Sequence, residues 1–274
     1  MFLMLLLLLF LAGVFIIYMR FSKRVPILMY HRIADNPGDR NSLSPAKFTE
    51  QLDYLSAHGF HTVSLRDVHD YYTSRKKLPQ KPVVLTFDDG YEDNFSVALP
   101  LLTARNMTAT VFPISAWVGQ PNKWEDFGKP PAVTMSWEQL KKWLNAGMEI
   151  GSHTVSHPFL SQLHGEVLQS ELTQSKDTLS AHLSITTDFL CYPYGDYSDQ
   201  VIAAAKEAQY KGALAIYDNA PLWDLDLYAL PRIPVSSRQP LWEFAVKVSW
   251  LHSILIFLRK AEVFSKRLIR KKRQ

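Results

Sequence analysis

His153 and His157 stand four residues apart in Ser152-His153-Thr154-Val155-Ser156-His157-Pro158. Two imidazoles at that spacing can share one divalent ion. A helical zinc-hydrolase motif needs Glu directly after the first His, and Thr154 occupies that place. Pro158 also steers His157 away from the right-handed helical region. The pair is therefore expected in a tight loop that follows a strand. A second cluster, Thr86-Phe87-Asp88-Asp89-Gly90, puts two carboxylates side by side. On extended backbone they point in opposite directions. A bend at Gly90 lets one bind a metal while the other faces the cleft. Asp89, His153 and His157 then form a three-ligand site with positions left for water, as hydrolytic Zn²⁺ sites have. Each cluster alone has a plainer reading. Asp-Asp-Gly is a common turn, and an isolated His-x-x-x-His is weak. Their combination is much more specific.

Two further segments end apolar runs. Cys191-Tyr192-Pro193-Tyr194-Gly195 fixes a loop whose backbone N–H groups can face a substrate oxygen. Met29-Tyr30-His31-Arg32 places one histidine at the end of the first run. The elements that must position these groups alternate in type. Strands are expected over 26–33, 61–65, 82–87, 108–114, 148–152, 189–192, 213–217 and 230–235. Helices are expected over 45–58, 66–73, 94–104, 137–145, 165–182 and 199–209. Ser44-Pro45 supplies an N-cap with Pro at the first helical position. Ser136 with Gln139 matches a capping box. This order predicts an α/β fold with a largely parallel sheet, as in a (β/α) barrel. Such folds carry their chemistry at the C-terminal ends of strands, where all four segments fall.

Charge is segregated along the chain. The 274 residues carry a formal net charge of +4. Residues 25–258 hold 19 basic and 25 acidic side chains, so the body is near −6. That argues against a nucleic-acid partner. Eight basic residues lie in 259–274. A single cysteine, Cys191, excludes a disulfide framework. Residues 1–19 carry no charge and reach roughly 28 Å as a helix at ~1.5 Å per residue. With no basic residue before Arg20 and no small-residue cleavage pattern, they predict an uncleaved transmembrane anchor over 1–20. Residues 241–274 read as an amphipathic helix with a basic tail. It either packs on the body or binds anionic lipid.

The chemistry-bearing segments resemble the polysaccharide deacetylases, the NodB-homology group also called carbohydrate esterase family 4. Leu85-Thr86-Phe87-Asp88-Asp89-Gly90-Tyr91 is similar to the family's first motif. Ser152–Pro158 is similar to its second, and Tyr192-Pro193-Tyr194-Gly195 to its third. The resemblance spans 25–236 and implies a distorted (β/α) barrel of about seven strands. Pro26-Ile27-Leu28-Met29-Tyr30-His31-Arg32 and Leu230-Pro231-Arg232-Ile233-Pro234-Val235 resemble the poly-N-acetylglucosamine deacetylase subgroup, whose motif order is partly permuted.

The resemblance implies N-deacetylation of an amino sugar in a polysaccharide. Asp89, His153 and His157 would hold a divalent metal, with Zn²⁺ suited to two imidazoles and one carboxylate. Asp88 would be the general base, and the Tyr194 N–H an oxyanion donor. His31 would be the general acid, favoured over His252 because it ends a strand. Tyr192, Trp117, Trp124 and Trp223 are aromatic candidates for the substrate site. Asp224 or Asp226 would tune a histidine. Cys191 departs from the family, which keeps an arginine there to orient the base. Arg232 is the candidate replacement, holding Asp88 by a charge-assisted pair.

Two other functions stay open. The same site could cleave an acetyl ester or act on a lipid-linked sugar. The scaffold could also be an inactive carbohydrate-binding protein, although intact Asp88, Asp89, His153 and His157 argue against that. Exported substrates favour the extracytoplasmic face; the basic residues after the span favour the cytoplasmic one. The substrate class carries more weight.

Overall fold

The computed structural model of the chain describes residues 24–36, 38–122, 132–216 and 225–249, with Met4, Gly13, Leu251, His252 and Leu255. In chain order the elements begin with β1 (Ile27–Tyr30), β2 (Arg32–Ile33), β3 (Ser42–Leu43), α1 (Pro45–Ala57), β4 (His61–Thr62) and α2 (Leu65–Ser74). There follow β5 (Pro82–Asp89), a π-helical turn (Asn94–Ala98), α3 (Leu99–Thr103), β6 (Thr110–Pro113), α4 (Trp137–Asn145) and β7 (Glu149–Ile150). The remainder is α5 (Gly165–Leu183), β8 (Phe189–Cys191), α6 (Asp199–Glu207), β9 (Gly212–Ile216), β10 (Leu230–Pro234) and α7 (Leu241–Lys247).

Seven strands form one parallel sheet in the order β7-β6-β5-β1-β10-β9-β8, with β4 beside β5. The two edges meet at a parallel bridge between Ser152 and Leu190, where Ser152 N donates to Phe189 O at 2.9 Å. The result is an incomplete barrel. Its strands are apolar on consecutive residues because both faces are covered. Val83 through Asp89 of β5 are all buried. Tyr30, Phe48 and Phe87 pack ring against ring beneath the sheet, and the Tyr30 hydroxyl donates to Gln51.

The helix starts follow local chemistry. Ser44 accepts from Lys47 N, and both halves of the Ser136–Gln139 capping box are made. Ser64 and Asp67 form a second box at α2. The helix expected over 94–104 is not uniform. Pro100 has no N–H to offer the Ser96 carbonyl, and the ladder slips so that Leu99 N bonds Asn94 O. The strand expected over 26–33 is broken at His31, leaving β2 to pair with β3 instead.

Pro26–Gln239 forms one compact unit; Met1–Val25 with Pro240–Gln274 forms another. In the second unit, α7 covers the start of the expected C-terminal helix, with Phe244 buried and Trp242 exposed. Apart from Met4 and Gly13, the anchor expected over 1–20 lies outside the described residues, as does most of the basic tail. Among the described residues no helix is long and apolar enough to cross a membrane.

Candidate active site

Asp88 and Asp89 are the last two residues of β5. The bend after them begins at Asp89 itself, with φ 68°, and continues through Gly90 at φ 70°. A Cβ on Gly90 would lie 3.0 Å from Pro113 Cα, so glycine also fits the tight approach of β6. The bend separates the two carboxylates. Asp89 Oδ1 lies 3.6 Å from His153 Nε2 and 3.5 Å from His157 Nε2. Ligand atoms of these three buried residues all fall within 4.8 Å of one another.

The histidines sit in the loop after β7. His157 adopts φ 65°, and Thr154 φ 68°. Pro158 does keep His157 out of the right-handed helix, but into the left-handed region rather than the extended one. The Thr154 hydroxyl receives the His157 N–H at 3.1 Å and stabilises that turn. Helix α5 holds the loop from behind. Glu171 accepts from Val155 N, Ser156 N and the Ser156 hydroxyl, while Ser175 donates to Thr154 O.

Protonation favours ligation. His153 Nδ1 lies 2.8 Å from Cys191 O. Donation to that carbonyl puts the proton on Nδ1 and leaves the Nε2 lone pair toward Asp89. Burial pushes the His153 imidazole down to about 4, and it lowers His157 as well. Both are neutral near pH 7, as metal ligands must be. The donor set therefore fits a divalent metal.

Asp88 faces a different set of partners. Arg232 grips it with two bonds, Nη1 to Oδ1 at 2.5 Å and Nη2 to Oδ2 at 2.8 Å. The guanidinium is 1% exposed, and it reaches from β10 across β1 to β5. Burial by itself would raise the Asp88 carboxyl. Burial is the largest single influence, but the Arg232 charge, His153, the Arg232 hydrogen bonds and His31 together outweigh it and hold the carboxyl well below the usual carboxylate range. Cys191 is at the same carboxylate, with Sγ 3.5 Å from Oδ1. Burial pushes its thiol up, so it stays a neutral donor. His31 completes the group, with Nε2 3.9 Å from Asp88 Oδ2. Burial lowers its pKa, against the pull of Asp88.

Other expected residues fall elsewhere. Tyr192 is fully buried and its hydroxyl donates to Tyr228 O at 2.8 Å, so it is part of the core rather than a substrate contact. Tyr194 is exposed, with φ 58°. Asp226 accepts from Tyr228 N and closes its own turn. His252 is buried in the other unit. Trp124, Trp223 and Asp224 lie outside the described residues, and Trp117 is half-buried.

Sequence reasoning missed the clamp on His31. Asn94 Nδ2 donates to His31 O at 2.7 Å, while Asp93 accepts from Ile33 N and Arg32 Nε. It also missed Glu171 and Ser175. Polar residues on amphipathic helices look like a solvated face until the loop they hold is seen.

Comparison with known proteins narrows what this arrangement is. The family model for polysaccharide deacetylase matches residues 75–213. The chain belongs to the polysaccharide deacetylase family. The deacetylase chain is 31% identical over 213 residues to the polysaccharide deacetylase homologue YxkH of Bacillus subtilis, covering 78% of this chain and 72% of that one. It is 28% identical to the poly-β-1,6-N-acetyl-D-glucosamine N-deacetylase of Staphylococcus aureus, over 71% of this chain and 68% of that one. Its match to the Escherichia coli protein of the same name is 23% identical and spans 38% of that protein's length. Two solved structures share the deacetylase fold at 27% identity. Streptococcus pyogenes PplD in complex with acetate has a TM-score of 0.72, covering 82% of this chain and 98% of that one. IcaB from Ammonifex degensii has a TM-score of 0.70, covering 82% and 96%.

Proposed function

We propose that this deacetylase removes N-acetyl groups from the amino sugars of a poly-N-acetylglucosamine-type polysaccharide, with the help of a divalent metal. The observation that carries the reading is the division of labour between adjacent carboxylates. Asp89 meets two neutral imidazoles, and Asp88 is ionised beside His31. The names of the Staphylococcus aureus and Escherichia coli relatives supply the substrate class.

Asp89, His153 and His157 would hold the metal, with Zn²⁺ best matched to this donor set. When bound, the metal supplies Lewis-acid polarisation of the amide carbonyl and a lowered pKa for attacking water. Asp88 accepts the proton of that water. Arg232 occupies one lone pair on each Asp88 oxygen and the Cys191 thiol takes the other on Oδ1, leaving one on Oδ2, the oxygen that faces His31, to act as base. The backbone N–H of Tyr194 supports the oxyanion. His31, neutral at rest, can take the proton from Asp88 through one intervening water and deliver it to the departing nitrogen.

Acetate release from N-acetylglucosamine oligomers tests the reading. Release is expected with Zn²⁺-loaded protein, with loss after chelation and recovery on adding Zn²⁺ back. Ester cleavage without amide cleavage would favour an acetyl-ester substrate. No release from either, with metal bound, would favour an inactive binding protein.

We also place the deacetylase body on the extracytoplasmic face, held by the apolar 1–20 segment. An exported glycan as substrate supports this placement. Added protease should reach the basic tail in intact cells; full protection of the tail would reverse the assignment.

A further inference from the structure

Phe159 and Tyr194 stack face to face at the mouth of the site. Their centroids lie 4.1 Å apart with 14° between planes. Both are large apolar side chains left in solvent, at 47% and 39% exposure. Each covers one face of the other, so much of the exposure left to Phe159 is its outer face. The pair adjoins the ligand set, because the Tyr194 ring packs edge-on against His157 at 4.5 Å.

The platform is preformed. Leu160, next to Phe159, is fully buried and anchors one loop. Asp196 Oδ2 accepts from Ser161 N at 2.7 Å, which ties that loop to the one carrying Tyr194. Tyr194 stands at φ 58°, an uncommon conformation for a bulky side chain. Such strain persists where the surroundings fix it, often at ligand sites. A contiguous apolar patch beside a polar catalytic group is the usual make-up of a small-molecule subsite.

We propose that the Phe159–Tyr194 pair is a stacking platform for the pyranose ring next to the one being deacetylated. The apolar C–H face of a sugar lies on the aromatic face, as in other ring contacts. This deepens the proposed function and rests on its reading of the substrate as an N-acetylated glycan. It makes the site prefer polymers, because the neighbouring ring adds a contact with the outer face of Phe159 that a single sugar lacks.

The test compares N-acetylglucosamine pentamer with a single N-acetylated sugar, using Phe159→Ala and Phe159→Trp. Phe159→Ala should raise KM for the pentamer by about three- to tenfold, the range of one aromatic contact. Its kcat, and its KM for the single sugar, should not change. Phe159→Trp should restore the pentamer KM. An unchanged pentamer KM in Phe159→Ala, or an equal rise for both substrates, overturns the proposal. So does loss of binding to phosphatidylglycerol vesicles with an unchanged pentamer KM, which would make the pair a membrane contact. Calorimetric titration of the pentamer into Asp88→Asn protein, with and without Phe159→Ala, measures binding without turnover. If wild-type protein releases no acetate but Phe159→Ala still weakens the pentamer titration, the reaction fails and the platform stands. If acetate is released and the titration is unchanged, the platform fails and the reaction stands.

Discussion

Asp88→Asn is expected to lower kcat for acetate release by about 10²- to 10⁴-fold, the usual contribution of a positioned general base. The amide is nearly isosteric and can still accept one bond from Arg232, but it has no lone pair basic enough to take the proton of water. Asp89, His153 and His157 remain in place, so bound Zn²⁺ should stay near one per chain. Asp89→Asn should behave differently. It removes the carboxylate that lies 3.6 Å and 3.5 Å from the two imidazoles, so both activity and metal content should fall. The pair of variants separates two residues that are neighbours in sequence. Measured rates and metal content for both decide the point. An Asp88→Asn protein that keeps more than about a tenth of the wild-type rate has not lost a general base of that strength. One that loses its metal as Asp89→Asn does would move Asp88 into the ligand set.

Much of this separation was legible in the sequence. Buried parallel strands leave continuous apolar runs, and the chemistry lies where those runs stop. That placed Asp88, Asp89, His153, His157 and His31 on one rim before any coordinates. Conformation at single residues was harder to read. Tyr192 and Tyr194 are two apart and would share a face on a strand, but the chain turns at Pro193. One ring therefore enters the core and the other reaches solvent. Two-residue strands such as β3 carry too little pattern to register. Four of the nine non-glycine residues at positive φ among those described are Asp89, Thr154, His157 and Tyr194. Asp and His tolerate a left-handed backbone better than most types, but Thr and Tyr do not announce one, and the turn at His157 rests on a side-chain bond to Thr154 that no pattern marks. The Asp93–Asn94 clamp and Glu171 were hidden for the same reason. They act over separations of 15 to 63 residues, and no local pattern marks such partners.

Arg232 is the case where the sequence suggested a partner and the geometry gives it a measurable consequence. Cys191 stands where the resemblance implies an arginine, and the guanidinium at Asp88 comes from Arg232 on β10. Arg232→Ala leaves a fully buried carboxylate facing a thiol and the imidazoles of His31 and His153. Breaking such a pair by removing one partner costs about 3–5 kcal/mol, which corresponds to a fall in Tm of roughly 10 °C for a chain of this size. The pH dependence should shift as well. In the native protein the Asp88 pKa is depressed, so its contribution to stability is present above the unfolded value and is lost as pH falls through the folded one. Without Arg232, burial is opposed only by the neighbouring His153 and His31 and raises that pKa. The stability gap between the two proteins should be widest at neutral pH and should narrow as acid protonates the carboxylate. Because the base must be ionised to work, the acid limb of kcat/KM should move to higher pH. Arg232→Lys retains the charge without the two-pronged geometry. It should keep the acid limb low while lowering kcat, which distinguishes orientation of the base from its ionisation. If Arg232→Ala left Tm, the acid limb and kcat/KM unchanged while Asp88→Asn abolished activity, Arg232 would have no part in holding the base.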